Sequence, residues 1–380
     1  VTAPSTRWDD LFAAVGSLRA VALVRLLFGP IVVFHLWGFL AQAVDGRTYQ
    51  DRFHEPFWPW LPQPPEAVYT AMLVVGVVAG VAMTVGLWSR LATTTAFAVV
   101  AANLLVDQTA FQHNRAFLLM NLGLLALQRT GVALSLDAWR HRLRTGRPPS
   151  DIGLLWPLQL QRLLLTSVYL ASAVSKLLDP DWRSGLVLWD RVVRFSHHIE
   201  ALPQGSGLAD ALTDRWVYWW FAPVVVATEL FIGLGLWHPR LRLAAVWVAV
   251  AFHLSIEVSA DVHTFSYAAL AALALWAVPR TRDRTVVVGR PPSATVIRSL
   301  DWLARFEIRT DAAADGLTMT DRDGSRFAGP AARWRVLLRL PLTFWVAAPV
   351  VALGSRPERS APRSDGADRH GAPTRPGTAS

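Results

Sequence analysis

Lys176 ends the apolar run Tyr169-Leu-Ala-Ser-Ala-Val-Ser-Lys-Leu-Leu-Asp-Pro-Asp-Trp182, and it is the only lysine among 380 residues. The other 36 of the 37 basic residues are arginine. A desolvated ammonium can release its proton, whereas a guanidinium does not. One amine kept at the end of an apolar helix is therefore a candidate general base. The structural alternative is an anchor whose charge snorkels to the headgroups. Further polar groups interrupt the apolar segments. Gln112-His113-Asn114-Arg115 opens a helix with two rings or amides and a cation, a set suited to an anion or a carbonyl oxygen, or simply to capping. His253 and Glu257 stand one helical turn apart, with His263 close by in sequence. They read as a hydrogen-bonded pair that orients a substrate rather than a metal site, for which a third ligand is wanting. Glu229, mid-helix, must be protonated or paired, with Arg25 or Arg162 as partner. His35 is a similar case with no clear partner.

Several chemistries are excluded. The chain has no cysteine, so disulfides, thiolate metal sites and iron–sulfur clusters are absent. It contains no Gly-Lys-Ser/Thr phosphate loop, no Gly-x-Ser-x-Gly elbow and no His-Glu-x-x-His, which removes kinase, ATPase, serine hydrolase and zincin readings.

The elements that must position these residues are membrane helices. The chain is 53% hydrophobic and 17% charged, with mean hydropathy +0.31, against about 25% charged residues in soluble domains. Net charge is +9, but the arginines lie in short clusters between apolar runs. That is a topology-setting pattern, not a nucleic-acid footprint. Eighteen tryptophans fit interfacial belts, and residues 1–10 show no signal-peptide pattern. Eight helices are expected, near 20–42, 68–88, 91–106, 116–128, 155–176, 217–237, 242–258 and 263–279.

Arg7, Arg19, Arg90, Arg129, Arg140, Arg142, Arg144, Arg147, Arg240, Arg242, Arg280, Arg282 and Arg284 all fall on one side of that layout. The positive-inside rule assigns this side to the cytoplasm, with both termini, in a multi-pass plasma-membrane protein. The other side receives the loop 45–67 with Tyr49, Asp51, His54 and Glu55. It also receives Asp107 to Arg115, Lys176 with Asp179 and Asp181, and Glu257, Asp261 and His263. The segment 183–216, with Trp189, Arg191, Arg194 and His197, reads as an interfacial amphipathic helix or lid. No repeat symmetry with broken helices supports a transporter.

After Arg280 the pattern changes to a small α/β segment. Strands are expected at 285–288, 307–310 and 317–320, the last turning at Asp321–Gly324 into Arg326-Phe327. A turn is expected at 289–292, a helix over 293–306 capped by Ser293, and another over 330–340. The run 341–353 is short for a span and is expected on the membrane surface. Residues 356–380 have the composition of a disordered tail. The expected domains are an N-terminus 1–16, a membrane domain 17–280, a small domain 281–355 and the tail. The fold class is thus an all-α polytopic membrane protein of about eight spans with a small α/β C-terminal segment.

Four ordered blocks then carry a resemblance: Gln112 to Leu119, Ala133 to Trp139, Tyr169 to Trp182, and Ala251 to Ser255 with Thr264 to Tyr267. Over roughly residues 15–280 the chain resembles the horizontally transferred transmembrane (HTTM) domain shared with vitamin K-dependent gamma-carboxylases. The resemblance implies an outward-facing site in which Lys176 deprotonates vitamin K hydroquinone or menaquinol. Oxygen and carbon dioxide are co-reactants, and no metal takes part. His113 and His253 would assist, and Asn114, Arg115, Tyr169 and Trp182 would contact the cofactor. Glu257 and His263 would meet the substrate, a peptide or protein on the outer side. Two departures stand out. The stretch from Lys176 to Trp182 is one residue longer than the animal motif, and the large outward domain that recruits protein substrates has no counterpart. A non-enzymatic alternative is a scaffold, or an export or toxin-maturation partner of the sporulation-delaying-protein B type. Residues 285–340 resemble a reduced, thioredoxin-like DCC1-type oxidoreductase, with Pro291 and Ala294 where its cysteines would stand, which removes dithiol chemistry.

Overall fold

The computed structural model describes residues 13–47, 55–61, 63–108, 111–195, 207–260, 262–277, 282–314 and 316–353. Tyr49, Asp51, His54, His197, Asp261 and the tail 356–380 lie outside them, and so do Arg7 and Arg280. The chain divides into two compact units, Val1–Pro279 and Arg280–Ser380.

The first unit is helical. Its helices are α1 (Arg19–Val44), α2 (Glu66–Val85), α3 (Ser89–Val106), α4 (His113–Ala126), α5 (Leu136–Thr145) and α6 (Trp156–Leu178). There follow the short α7 (Pro180–Arg183), α8 (Leu186–Phe195) and α9 (Gly207–Thr213), then α10 (Arg215–Gly235), α11 (Arg242–Ala260) and α12 (Thr264–Ala272). A 3-10 turn, Leu273–Trp276, extends α12. Helices stand at all eight expected places. Among the described residues four of them, α1, α2, α3 and α10, are long and apolar enough to cross a membrane. In place of one amphipathic element over 183–216 there are α8 and α9, with residues 196–206 between them outside the description.

The four long helices are apolar on both sides. The outer face of α2 is Val68, Val74, Val75, Val78, Val81 and Val85, all exposed. In water such a face would be an aggregation surface; in a bilayer it is the lipid contact. Its inner face carries small residues. A Cβ added at Gly29 of α1 would stand 2.7 Å from the Thr84 backbone nitrogen, so only glycine lets α1 and α2 approach this closely. Trp216 and Trp219 stack at 5.1 Å at the start of α10, as an interfacial belt requires.

Polar ties lock the ends of the bundle. A two-stranded sheet pairs β1 (Val15–Ser17) with β2 (Ile152–Leu154) in antiparallel register, and Arg19 Nε reaches Asp151 Oδ2 at 2.8 Å. Asp137 accepts from the Trp88 (2.9 Å) and Ser89 (2.7 Å) backbone N–H groups, capping α3 from another segment. At the other end, Gln108 N–H donates to Glu55 O at 2.7 Å. Arg25 is fully buried and donates to the carbonyls of Met83, Leu134 and Thr84, the last at 3.0 Å. It therefore ties the last carbonyls of α2 to the segment before α5 rather than pairing with an acid.

The second unit runs β3 (Arg284–Val288), α13 (Pro291–Leu300), β4 (Phe306–Thr310), β5 (Leu317–Thr320), β6 (Arg326–Ala328), α14 (Gly329–Leu337) and α15 (Phe344–Leu353). The sheet order is β4-β3-β5-β6, with β3 parallel to β4 and the other pairs antiparallel. Val286, Val288, Ile297, Phe306, Met319 and Phe327 form its core. The helix expected over 293–306 with Ser293 as cap is shorter and begins earlier. Pro291 and Pro292 occupy its first turn, where a missing N–H costs nothing. It ends because Asp301 accepts from the Arg305 (2.9 Å) and Phe306 (3.0 Å) N–H groups and turns the chain into β4.

Replacing Arg25 with Met takes the side-chain donor from the Thr84 and Leu134 carbonyls, each loss costing about 1–3 kcal/mol, while Met83 O keeps the Gly86 N–H. The expected result is a clear fall in the thermal unfolding midpoint of the detergent-purified protein, greater than that of Arg47→Gln, whose ion pair with Asp45 is exposed.

Candidate functional site

Lys176 lies in the last turn of α6, and its amine meets Glu229 of α10 with Nζ 2.5 Å from Oε1. Ser172, one turn earlier on α6, donates to the same oxygen at 3.0 Å. Both charged side chains are largely buried, at 13% and 5% exposed, while Glu229 Oε2 is buried with no partner among the described residues. The ring of Trp182 lies 4.7 Å from Nζ, a cation–π contact. The chain reaches that position through a tight turn. Asp179 Oδ1 accepts from the Asp181 N–H at 2.9 Å. Gly185, at φ 75°, lies so close to α10 that an added Cβ would stand 2.4 Å from the Tyr218 carbonyl carbon. The sequence reading missed this pair, assigning Glu229 to Arg25 or Arg162. Arg25 is spent on carbonyls, and Arg162 donates to Leu275 O at 2.6 Å and 3.0 Å and to Gln159 Oε1 at 3.1 Å. The signal was present: a lone lysine and a lone mid-helix carboxylate in neighbouring apolar helices have every reason to meet.

Tyr169 shares the inner face of α6 with Ser172 and Lys176, and its hydroxyl is 2.6 Å from His253 Nε2. His253 is fully buried, and its Nδ1 has no partner among the described residues. Its ring contacts Phe265 at 5.5 Å, and Phe265 in turn contacts Phe117 of α4 at 5.3 Å. Lys176 and His253 thus hang on one helix face, through Glu229 and Tyr169 respectively.

The other candidates form two further groups. His113, exposed at the start of α4, meets Phe111 edge-on at 5.6 Å. Arg115 lies 4.7 Å over the Phe39 ring, and Asn114 is half-buried between them in sequence. No hydrogen bond, ion pair or ring contact joins His113 to Lys176 among the described residues. His263 Nδ1 bonds Glu257 Oε2 at 2.9 Å, stacks on Tyr267 at 6.2 Å and meets Phe34 of α1. Glu257 therefore takes His263, not His253, as its partner. His35, for which no partner was evident, packs edge-on against Phe39 at 5.5 Å. An open groove of about 720 Å³ is lined by Leu170, Ala171, Val174, Ser175, Leu178 and Asp179. These residues occupy the face of α6 opposite Lys176, so the groove does not lead to the amine.

The model of the HTTM domain matches residues 17–280, more than half of the chain. The chain belongs to the HTTM domain family. The Lys176–Glu229 pair, the Tyr169–His253 bond and the two outlying groups all lie within the matched HTTM region, whereas β3 to α15 lie beyond it. No curated protein and no solved structure matches the chain.

Removing one member of a buried pair strands the other, at a cost of about 3–5 kcal/mol. Glu229→Leu is expected to lower the unfolding midpoint of the HTTM protein strongly, and Lys176→Met combined with Glu229→Leu to recover most of it. A double-mutant cycle on the purified protein reads the coupling.

Proposed function

We propose that this chain is a gamma-carboxylase-like membrane enzyme in which Lys176 and Glu229 together form a proton-transfer centre. The observation that carries the proposal is the contact itself: an amine and a carboxylate held at 2.5 Å, largely buried, beside an aromatic ring. A proton passing from Nζ to Glu229 leaves a neutral amine and a neutral acid, so the site changes protonation without changing net charge. The amine then accepts a hydroxyl proton and becomes an ammonium again. Buried Glu229 Oε2, lacking a partner among the described residues, is an acceptor suited to a bound hydroxyl. These groups fit a lipid-soluble quinol such as vitamin K hydroquinone or menaquinol. Such a cofactor, when bound, supplies reducing equivalents and, with oxygen, the strong base that carboxylation requires. Tyr169 and His253 hold the inner face of α6, Trp182 covers the amine, and the Glu257–His263 group is assigned to an extracytoplasmic substrate. His113, Asn114 and Arg115 would act from the mouth rather than at the amine.

In this reading the membrane domain spans the plasma membrane eight times with both termini in the cytoplasm. The β1–β2 pairing and the Asp137–Ser89 cap support it, because they draw three of the arginine-bearing connections to one end. The C-terminal unit is taken as a degenerate thioredoxin-like module. Its support is the strand order β4-β3-β5-β6 around a βαβ start, with Pro291 and Ala294 at the first turns of α13.

One observation favours the non-enzymatic reading, a scaffold or an export or maturation partner. The lysine already has a carboxylate partner, which is what structural glue looks like. The two readings part at Lys176→Arg. A guanidinium keeps the ion pair but cannot serve as a base. The variant is expected to keep its unfolding midpoint while losing about 10²- to 10⁴-fold in menaquinol oxidation with oxygen and bicarbonate present. Equal turnover in both proteins, or none in either, contradicts the base.

A further inference from the structure

Arginines crowd one region of the second unit. Asp321 accepts from Arg284 Nε at 2.9 Å and from Arg339 at 2.7 Å, with Arg335 at 3.9 Å. Asp283 pairs with Arg284 at 3.0 Å and with Arg322. Arg305 feels Arg284 and Arg322 as well as Asp283 and Asp301. Among the described residues five guanidiniums thus face three carboxylates, an excess of two positive charges. Burial first, then the neighbouring arginines, hold Arg305 below the ordinary arginine value. Burial likewise brings Arg339 down to about 10, despite Asp321. The Nε atoms of Arg305 and Arg335 are buried and have no hydrogen-bond partner among the described residues. The cluster is under-compensated, and Arg322 and Arg335, 51% and 22% exposed, carry its charge to the surface.

An apolar helix leaves directly from this cluster. Thr343 Oγ1 donates to Leu337 O at 2.7 Å and Phe344 N–H to Leu340 O at 3.0 Å, which fixes α15 to the end of α14, where Arg335 and Arg339 sit. Ala347 is buried, while Leu342, Trp345, Val346 and Val350 are 51%, 41%, 70% and 46% exposed. Ten residues cannot cross a bilayer core, which takes about 20. They can lie in its interface, where apolar side chains enter the acyl boundary and arginines meet phosphates.

We propose that α15 and the arginine cluster beside it form a docking surface for anionic phospholipid. Charge complementarity and the hydrogen-bonded junction of α14 with α15 carry it. It stands whether or not Lys176 is a base.

Because the chain has no cysteine, Val346→Cys in the full-length protein gives a unique site for a bimane label, and Asp323→Cys gives an exposed control. The labelled proteins are placed in nanodiscs of phosphatidylcholine, with and without phosphatidylglycerol. Quenching is compared for an acyl-chain doxyl lipid and for aqueous iodide. The doxyl lipid is expected to quench position 346 and not 323, with phosphatidylglycerol increasing the docked fraction. Arg322→Gln with Arg335→Gln should weaken docking by about fivefold per arginine, equivalent to ~1 kcal/mol each. The corresponding double Lys variant should restore it. Iodide quenching at 346 as free as at 323 in both lipids overturns the proposal. So does a phosphatidylglycerol dependence that survives the double Gln variant.

Discussion

A charge placed among apolar helices must find its opposite, because the cost of leaving it unpaired exceeds most other single terms in a fold. In this HTTM domain the requirement is met by Lys176 and Glu229. Their contact fixes how α6 faces α10 and draws Ser172 onto the same carboxylate. It also presents Tyr169, two turns back, to His253 of α11. The connection after α6 is shaped to suit: the Asp179 turn places Trp182 against the amine, and Gly185 lets the chain pass tightly over Tyr218.

Two arginines of the same domain are handled differently. Arg25 and Arg162 turn most of their bonding to backbone carbonyls, a use that suits a permanently charged fork of N–H groups. Lys176, the only lysine of the chain, is instead paired with Glu229, a carboxylate in the middle of α10. Such a pair suits bracing and proton handling alike, so the chemistry has to be read from the proton rather than from stability.

Much of the helical frame was legible in the sequence, since long apolar runs separated by arginine clusters leave few alternatives for where helices begin and end. The starts of α1, α6 and α11 fell within one residue of expectation. The second unit was less legible at Ser293, because two prolines in a first turn outweigh a serine as a start signal and Asp301 ends the helix by a bond that no periodicity reveals. The candidate residues were legible by type but not by partner. Lys176 stood out as the only lysine and Glu229 as a misplaced acid, yet their meeting depends on helix rotation, which an all-round apolar helix does not encode. For the same reason Glu257 was matched to its neighbour in sequence, His253, when the turn before α12 brings His263 to it instead.

The central claim, that one amine and one carboxylate share a proton inside the HTTM domain, can be observed directly because there is a single lysine. Protein labelled with ¹⁵N at the lysine Nζ position and reconstituted in lipid gives one side-chain resonance. This resonance is expected to move in Glu229→Gln and to move again when menaquinol is added to the unaltered protein. A resonance with the shift of a free, hydrated ammonium, unchanged by either treatment, would contradict it.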